Sequence, residues 1–115
     1  MKVLNREIEF DFLDVESFTK YENAINNYMQ RLNEIKGKKV SESEGRKILC
    51  EIVYNFFDEL LGQGTAKQLL GDKYHYGKCV KAMQEIIEEK LKSDQEINDT
   101  LGKYSLGVLN ELVNS

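Results

Sequence analysis

The fold of this chain is decided by residues 41–62, SESEGRKILCEIVYNFFDELLG. Apolar residues recur there every three or four positions, which places them on one wide face of an α-helix. They are Ile48, Leu49, Ile52, Val53, Phe56, Phe57, Leu60 and Leu61. Ser41 and Glu44 have the spacing of an N-terminal capping box, and Gly62 is typical of a helix end. The sequence therefore predicts a helix at the centre of the core.

A long amphipathic helix is predicted before this segment. Asp14 is a good N-cap residue, and Gly37 is a good C-terminal stop. Between them a single apolar stripe runs at helical spacing. Its residues are Val15, Phe18, Tyr21, Ile25, Tyr28, Leu32 and Ile35.

Three further helices are predicted after the central one. Thr65 and Gln68 form a second capping-box pattern for a short helix that Gly71 ends. A third long helix is expected to begin near Asp72, with a buried face of Cys79, Val80, Met83, Ile86, Ile87 and Leu91. Ser93 and Glu96 resemble a new cap and its partner, which predicts a separate C-terminal helix within 95–115. Ile97, Leu101, Tyr104, Val108, Leu109, Leu112 and Val113 would form its apolar side.

The N-terminal residues 2–12 read as a β-hairpin. Ile8, Phe10 and Phe12 alternate with acidic residues, and this period of two is typical of a strand. Val3-Leu4 would be the first strand, with Asn5-Arg6 as a two-residue turn. An isolated hairpin is marginal in water, so its apolar face must cover a helix or a partner.

The predicted fold class is mainly α: one domain over residues 1–115, a compact bundle of three to four helices plus a short one, with an N-terminal hairpin. A chain of 115 residues suits one domain. Its 41% hydrophobic and 31% charged residues are typical of a globular protein. It contains no proline, and no low-complexity tract or linker divides it.

Charge and hydropathy argue against two classes of partner. The net charge is −4, and the only basic cluster, Lys36, Lys38, Lys39, Arg46 and Lys47, straddles a turn. Nucleic-acid binding favours a concentrated basic face, so we expect no nucleic-acid partner. No apolar run reaches the roughly 20 residues of a membrane span, and residues 1–5 do not resemble a signal peptide. Synthesis in the cytoplasm is the expectation.

Few residues could support catalysis or bind a metal. His75 is the only histidine, and Cys79 lies one helical turn further on. A nucleophilic pair would also need an orienting group and an oxyanion hole, which nothing marks. A zinc site would need two more ligands, with only Cys50 and carboxylates left. We therefore expect no cofactor, no metal and two reduced, buried thiols; the alternative, a disulfide between two helices, needs an oxidising compartment.

Two other motifs have structural explanations. The loop Gly62–Lys67 departs from a phosphate-binding loop, because its lysine does not follow a glycine and the loop follows a helix. Helix-capping glycines are the better interpretation. Glu85, Glu88 and Glu89 alternate with Lys81, Lys90 and Lys92, which predicts a solvated helix face.

The remaining feature is a surplus of apolar surface. Tyrosines that reach solvent with their hydroxyl groups would explain it, and so would a protein-binding groove. The second interpretation places a groove at the elbow 62–76, where Leu69, Leu70, Tyr74 and Tyr76 lie between glycines. Phe10 and Phe12 are two further candidate partner-binding positions. The edge of the hairpin could pair with a second copy, so a homo-oligomer is also possible.

Two stretches also resemble a known family. Residues 7–14 (EIEFDFLD) with 20–22 (KYE), and residues 55–67 (NFFDELLGQGTAK), resemble short phage and prophage proteins of low-GC Gram-positive hosts. That family resembles the tail-assembly chaperones of long-tailed phages. The resemblance covers roughly residues 5–90 and consists of motifs that carry no catalytic chemistry.

The resemblance implies a non-enzymatic function. Such a chaperone would bind the tape-measure protein, recruit major tail protein subunits in the host cytoplasm, and be absent from the mature virion. Two alternatives stay open: a structural virion component such as a head–tail adaptor, and a small hydrolase or nucleotide-binding protein that uses the Gly62–Lys67 loop. Thermal stabilisation by a nucleotide would favour the last of these.

Overall fold

The computed structural model describes the backbone of residues 1–114 and the side-chain surroundings of residues 1–100 and 111–113. The chain forms, in order, β1 (Lys2–Val3), β2 (Arg6–Glu7), α1 (Val15–Ile35), α2 (Glu42–Leu61), α3 (Thr65–Leu70) and α4 (Tyr76–Asn114). The predicted helical fold with an N-terminal hairpin is therefore confirmed.

α2 is the centre of the core, as its apolar face predicts. Its buried residues are Cys50, Ile52, Val53, Tyr54, Phe56, Phe57 and Leu60. The ring of Phe56 contacts Tyr21 and Tyr28 of α1 edge-on, with centroids 6.3 and 5.8 Å away. Such aromatic pairs add to the free energy gained by burying the rings, so Phe56 fixes α1 against α2.

The N-terminal ends of α1 and α2 form at the predicted caps. The Asp14 carboxylate accepts a hydrogen bond from the Ser17 amide at 2.9 Å, and this bond lowers the pKa of Asp14. The Ser41 hydroxyl accepts from the Glu44 amide at 3.1 Å. Each bond satisfies one amide that the first helical turn leaves without a backbone partner.

α3 is capped differently from the prediction. Thr65 is its first helical residue, and Gly64, with φ +88°, precedes it without a side-chain cap. The Asp58 carboxylate of α2 instead accepts from the Ala66 amide at 2.9 Å. The prediction that Thr65 is the N-cap was therefore wrong, because a carboxylate from the preceding helix accepts the hydrogen bond of an amide in the first turn of α3. Gly71 ends α3, as predicted.

α4 differs from the prediction at two points. It begins at Tyr76 and not near Asp72, and it continues through Ser93 to Asn114 as one helix. Asp94, next to Ser93, forms an ion pair with Lys90 one turn earlier, a spacing that favours continuation of the helix. The separate C-terminal helix was therefore wrong.

The apolar side assigned to that separate helix is only partly described. Ile97 is half-buried, and Leu112 and Val113 are exposed. The side chains of Leu101, Tyr104, Val108 and Leu109 lie outside the described residues.

The hairpin is real but shorter than predicted. Lys2 pairs with Glu7 and Val3 with Arg6, so the turn is Leu4-Asn5 and not Asn5-Arg6. Both turn residues have positive φ, 52° and 64°, as the two-residue turns that match strand twist require. Residues 8–12 lie outside the strands, although Ile8, Phe10 and Phe12 pack partly buried against the core.

The hairpin is fixed to the helices at both ends of its turn. The Leu4 amide donates to Oε2 of Glu85 on α4 at 2.7 Å, and the Arg6 guanidinium donates to the Gln68 carbonyl of α3. Val3 is fully buried. Glu85 is half-buried, so its assignment to a solvated face was wrong: it accepts a backbone hydrogen bond from the opposite end of the chain.

We expect Phe56→Ala to lower the free energy of unfolding by about 3–5 kcal/mol, because Phe56 is fully buried between α1 and α2. Urea denaturation measures this. Met29→Ala is the control, since Met29 of α1 is 57% exposed and its loss should cost within about 0.5 kcal/mol. A loss below about 1 kcal/mol for Phe56→Ala would show that α2 is not the centre of the core.

We expect Glu85→Ala to release the hairpin while the helices stay folded. A hydrogen bond to a charged acceptor contributes about 1.5–3 kcal/mol, so amide exchange of residues 3–7 should accelerate more than that of α2. Glu85→Gln keeps an acceptor oxygen and should retain most of the protection. Equal exchange in all three proteins would contradict the role given to Glu85.

Candidate functional site

Only two of the four candidate residues of the elbow 62–76 are exposed. Leu69 and Leu70 are 7% and 2% exposed, because α3 packs both side chains into the core. Neither can anchor a partner at the surface, and their placement in a groove was wrong. Tyr74 and Tyr76 are 48% and 39% exposed, so they are the accessible part of the elbow.

Tyr54 holds the elbow in one conformation. Its partly buried hydroxyl donates to the carbonyls of Gly71 and Lys73, at 2.7 and 3.2 Å. A tyrosine hydroxyl is protonated at neutral pH and can therefore donate, and burial raises the pKa of Tyr54 further. The Tyr74 ring rests edge-on against the Tyr54 ring, with centroids 4.9 Å apart. The exposed aromatic surface of the elbow is therefore preorganised.

A shallow groove runs between this elbow and the first turns of α2. We name it the elbow groove; its walls are Ser43, Arg46, Lys47, Cys50, Tyr74 and Tyr76. The Arg46 guanidinium lies 4.9 Å from the centre of the Tyr76 ring and forms an ion pair with Glu42 at 3.0 Å. Two aromatic rings and a basic rim suit an apolar segment that carries acidic residues.

Phe10 and Phe12 belong to a different surface. They line a second groove with Leu13 and with Glu89 and Lys92 of α4. Phe12 also stacks edge-on against Tyr21 at 5.0 Å and is partly buried. The structure therefore does not bring the six candidate positions together: Tyr74 and Tyr76 share one groove, Phe10 and Phe12 another, and Leu69 and Leu70 are core residues.

His75 and Cys79 serve the fold. His75 is exposed, and its Nδ1 accepts a hydrogen bond from the Lys78 amide at 3.1 Å, which caps α4. Cys79 is fully buried, and burial together with a hydrogen bond to the Cys50 thiol raises the pKa of Cys79 to about 12. A thiol with that pKa is protonated at neutral pH, so it is not poised as a nucleophile.

The remaining chemical candidates also have structural roles. Within the described residues, no group of His, Cys, Asp and Glu is arranged to hold a metal ion. Gly62 and Gly64 adopt positive φ at the end of α2 and the start of α3. The Asp58 carboxylate occupies the N-terminal amide of α3, where a phosphate would have to bind, and its negative charge would repel one.

A third apolar surface was missed. Val80, Ile87 and Leu91 of α4 are 43%, 38% and 59% exposed, although the sequence assigned them to a buried face. Cys79, Met83 and Ile86 do face the core. Apolar spacing alone could not have separated the two groups, because at about 100° per residue all six residues lie within roughly 140° of the helix surface.

The described residues define a helical protein with two grooves lined by aromatic residues and an exposed apolar surface on α4. Residues 4–110 match the model of a family of unknown function (DUF6673), and the chain therefore belongs to that family. No curated protein and no solved structure matches the chain. Within the described part of the chain, no helix has the length and apolarity to cross a membrane.

We expect both thiols to be unreactive in the folded protein, because each is buried and the pKa of Cys79 is about 12. A thiol-specific chromogenic reagent near pH 8 should react slowly with the native chain and with both thiols after denaturation. A chelator should leave the urea midpoint unchanged. Immediate reaction of the native thiols, or unfolding by the chelator, would contradict this account.

Proposed function

We propose that this chain is a non-enzymatic tail-assembly chaperone of a long-tailed bacteriophage. It binds the tape-measure protein and brings major tail protein subunits to it in the host cytoplasm, and it is absent from the mature virion. The proposal rests on the resemblance of residues 7–14, 20–22 and 55–67 to that class of protein. It also rests on one structural observation, the elbow groove.

The elbow groove has the features of a site for an amphipathic helix. Tyr74 and Tyr76 are exposed, yet the Tyr54 hydrogen bonds fix the backbone that carries them. Binding to a preorganised aromatic surface costs little side-chain entropy, and aromatic anchors dominate many interfaces. A long helical client supplies apolar anchors at i, i+3, i+4 and i+7, which is the pattern such grooves accept.

The charge of the groove selects among clients. Lys47 is exposed at the rim, and Arg46 lies over Tyr76. An acidic residue beside the apolar anchors of the client would meet this basic rim and displace Glu42 from Arg46. The chain as a whole has a net charge of −4, which helps to keep a complex with an aggregation-prone helix in solution.

Self-association through the hairpin edge stays a prediction with less support than the sequence suggested. The strands are only two residues long, so few backbone groups are available to a second strand.

We expect Tyr74→Ala/Tyr76→Ala to abolish solubilisation of the tape-measure protein on co-expression, because it removes both aromatic anchors. The far-ultraviolet circular dichroism should stay that of the wild type, since both rings are largely outside the core. Met29→Ala is the matched control, because it truncates a comparably exposed side chain on α1. Leu70→Asp cannot serve as a test, because Leu70 is 2% exposed and a charge there would unfold the protein.

Two outcomes would contradict the proposal. If the folded double variant still keeps the tape-measure protein soluble, the elbow groove is not the client site. If mass spectrometry finds the chain in purified virions at the stoichiometry of a structural subunit, it is a virion component such as a head–tail adaptor and not a chaperone.

A further inference from the structure

α4 exposes a regular apolar stripe that the other described residues leave uncovered. Val80, Gln84, Ile87 and Leu91 follow one another at spacings of four, three and four residues. That is the seam spacing of a coiled coil, in which two helices pack side by side. All four side chains are exposed, and the three apolar ones are among the large apolar side chains that the folded chain leaves in water.

The charges beside the stripe indicate what covers it. Lys81 and Glu88 lie next to Val80 and Ile87 on the same flank of α4, seven residues apart and opposite in sign. Both are exposed, and neither has a salt bridge within the described residues. Glu88 accepts one hydrogen bond, from the Gln84 amide at 3.0 Å. A helix flank with one positive and one negative charge is complementary to itself when the second helix runs in the opposite direction.

The other flank of the stripe disfavours the parallel arrangement. In a parallel pair, Lys81 and Glu88 would face the opposite flank of the second helix, which carries Met83 and Lys90. Met83 is buried, and Lys90 is already paired with Asp94. In an antiparallel pair, the flank with Lys81 and Glu88 meets its own copy and forms two reciprocal ion pairs.

From this stripe and these charges we infer that the protein forms a two-fold symmetric dimer through antiparallel contact of α4 with α4 of a second copy. Val80 packs against Leu91 of the second copy, and Gln84 against Ile87. Lys81 pairs with Glu88 across each side of the two-fold axis. An interface of this kind is isologous, because the same patch serves both subunits and closes the assembly at two. Gln84, the polar residue in the seam, disfavours shifted registers.

The dimer does not depend on the chaperone function, since none of its residues was used to argue for a client. It does have a consequence for the elbow groove. Beyond Leu91, α4 of the second copy would run past Val80 towards Tyr76, so it would become a neighbour of the groove.

The test is the oligomeric state of the full chain, measured by sedimentation velocity or light scattering over a concentration series that reaches about 0.5 mM. The wild type should be a dimer at the upper concentrations. Leu91→Lys should raise the dissociation constant at least about a hundredfold, since two buried leucines are lost per dimer. Met29→Lys, the same substitution at a comparably exposed residue of α1, should leave it unchanged.

Charge exchange tests the antiparallel geometry without risk to the fold, because both residues are exposed. Lys81→Glu and Glu88→Lys should each raise the dissociation constant about tenfold, since each replaces two attractions with two repulsions. The double variant Lys81→Glu/Glu88→Lys should restore wild-type dimerisation. A wild type that stays monomeric throughout, a dimer that Leu91→Lys does not weaken, or a double variant that does not recover would each overturn the proposal.

Discussion

The contact of Phe56 with two tyrosines of α1 is the interaction on which the other elements depend. Tyr21 and Tyr28 lie two turns apart on α1, and both contact the Phe56 ring of α2. One side chain therefore fixes α1 against α2. Once α1 and α2 are held together, α3 and α4 pack on the remaining sides of α2, and Val3 and Phe12 close the core at the N-terminal end. Within the described residues, a core arranged in this way leaves Val80, Ile87 and Leu91 of α4 exposed.

The parts of the fold that the sequence predicts well are those determined by nearby residues. Asp14 and Ser41 cap helices whose amides lie three residues away, so their spacing alone identifies the helix starts. The sequence predictions are wrong where a group distant in the chain determines the local structure. Asp58 caps α3 from the preceding helix, and the hydrogen bond from Leu4 to Glu85 spans most of the chain. The hairpin turn was placed one residue late because Leu4 adopts a positive φ, which leucine ordinarily avoids.

The same distinction explains how much of the candidate site could be predicted. Apolar spacing identifies a helix and its apolar side, but it cannot tell how much of that side a neighbour will cover. Leu69 and Leu70 were expected at the surface and are buried, whereas Ile87 and Leu91 were expected in the core and are exposed. Tyr74 and Tyr76 were placed correctly because the elbow that carries them has glycine and polar residues on both sides, which few neighbours can cover.

The hydrogen bond between Leu4 and Glu85 also sets an order of events during synthesis. The two residues are separated by 81 positions, so the hairpin waits for its partner for roughly 4–16 s at translation rates of about 5–20 residues per second. During that interval Val3, Phe10 and Phe12 have no α4 to pack against, and the edge of the hairpin is open to another nascent chain. The strands are short and carry the charged residues Lys2, Arg6 and Glu7, so during that interval they offer few backbone groups for pairing with another chain.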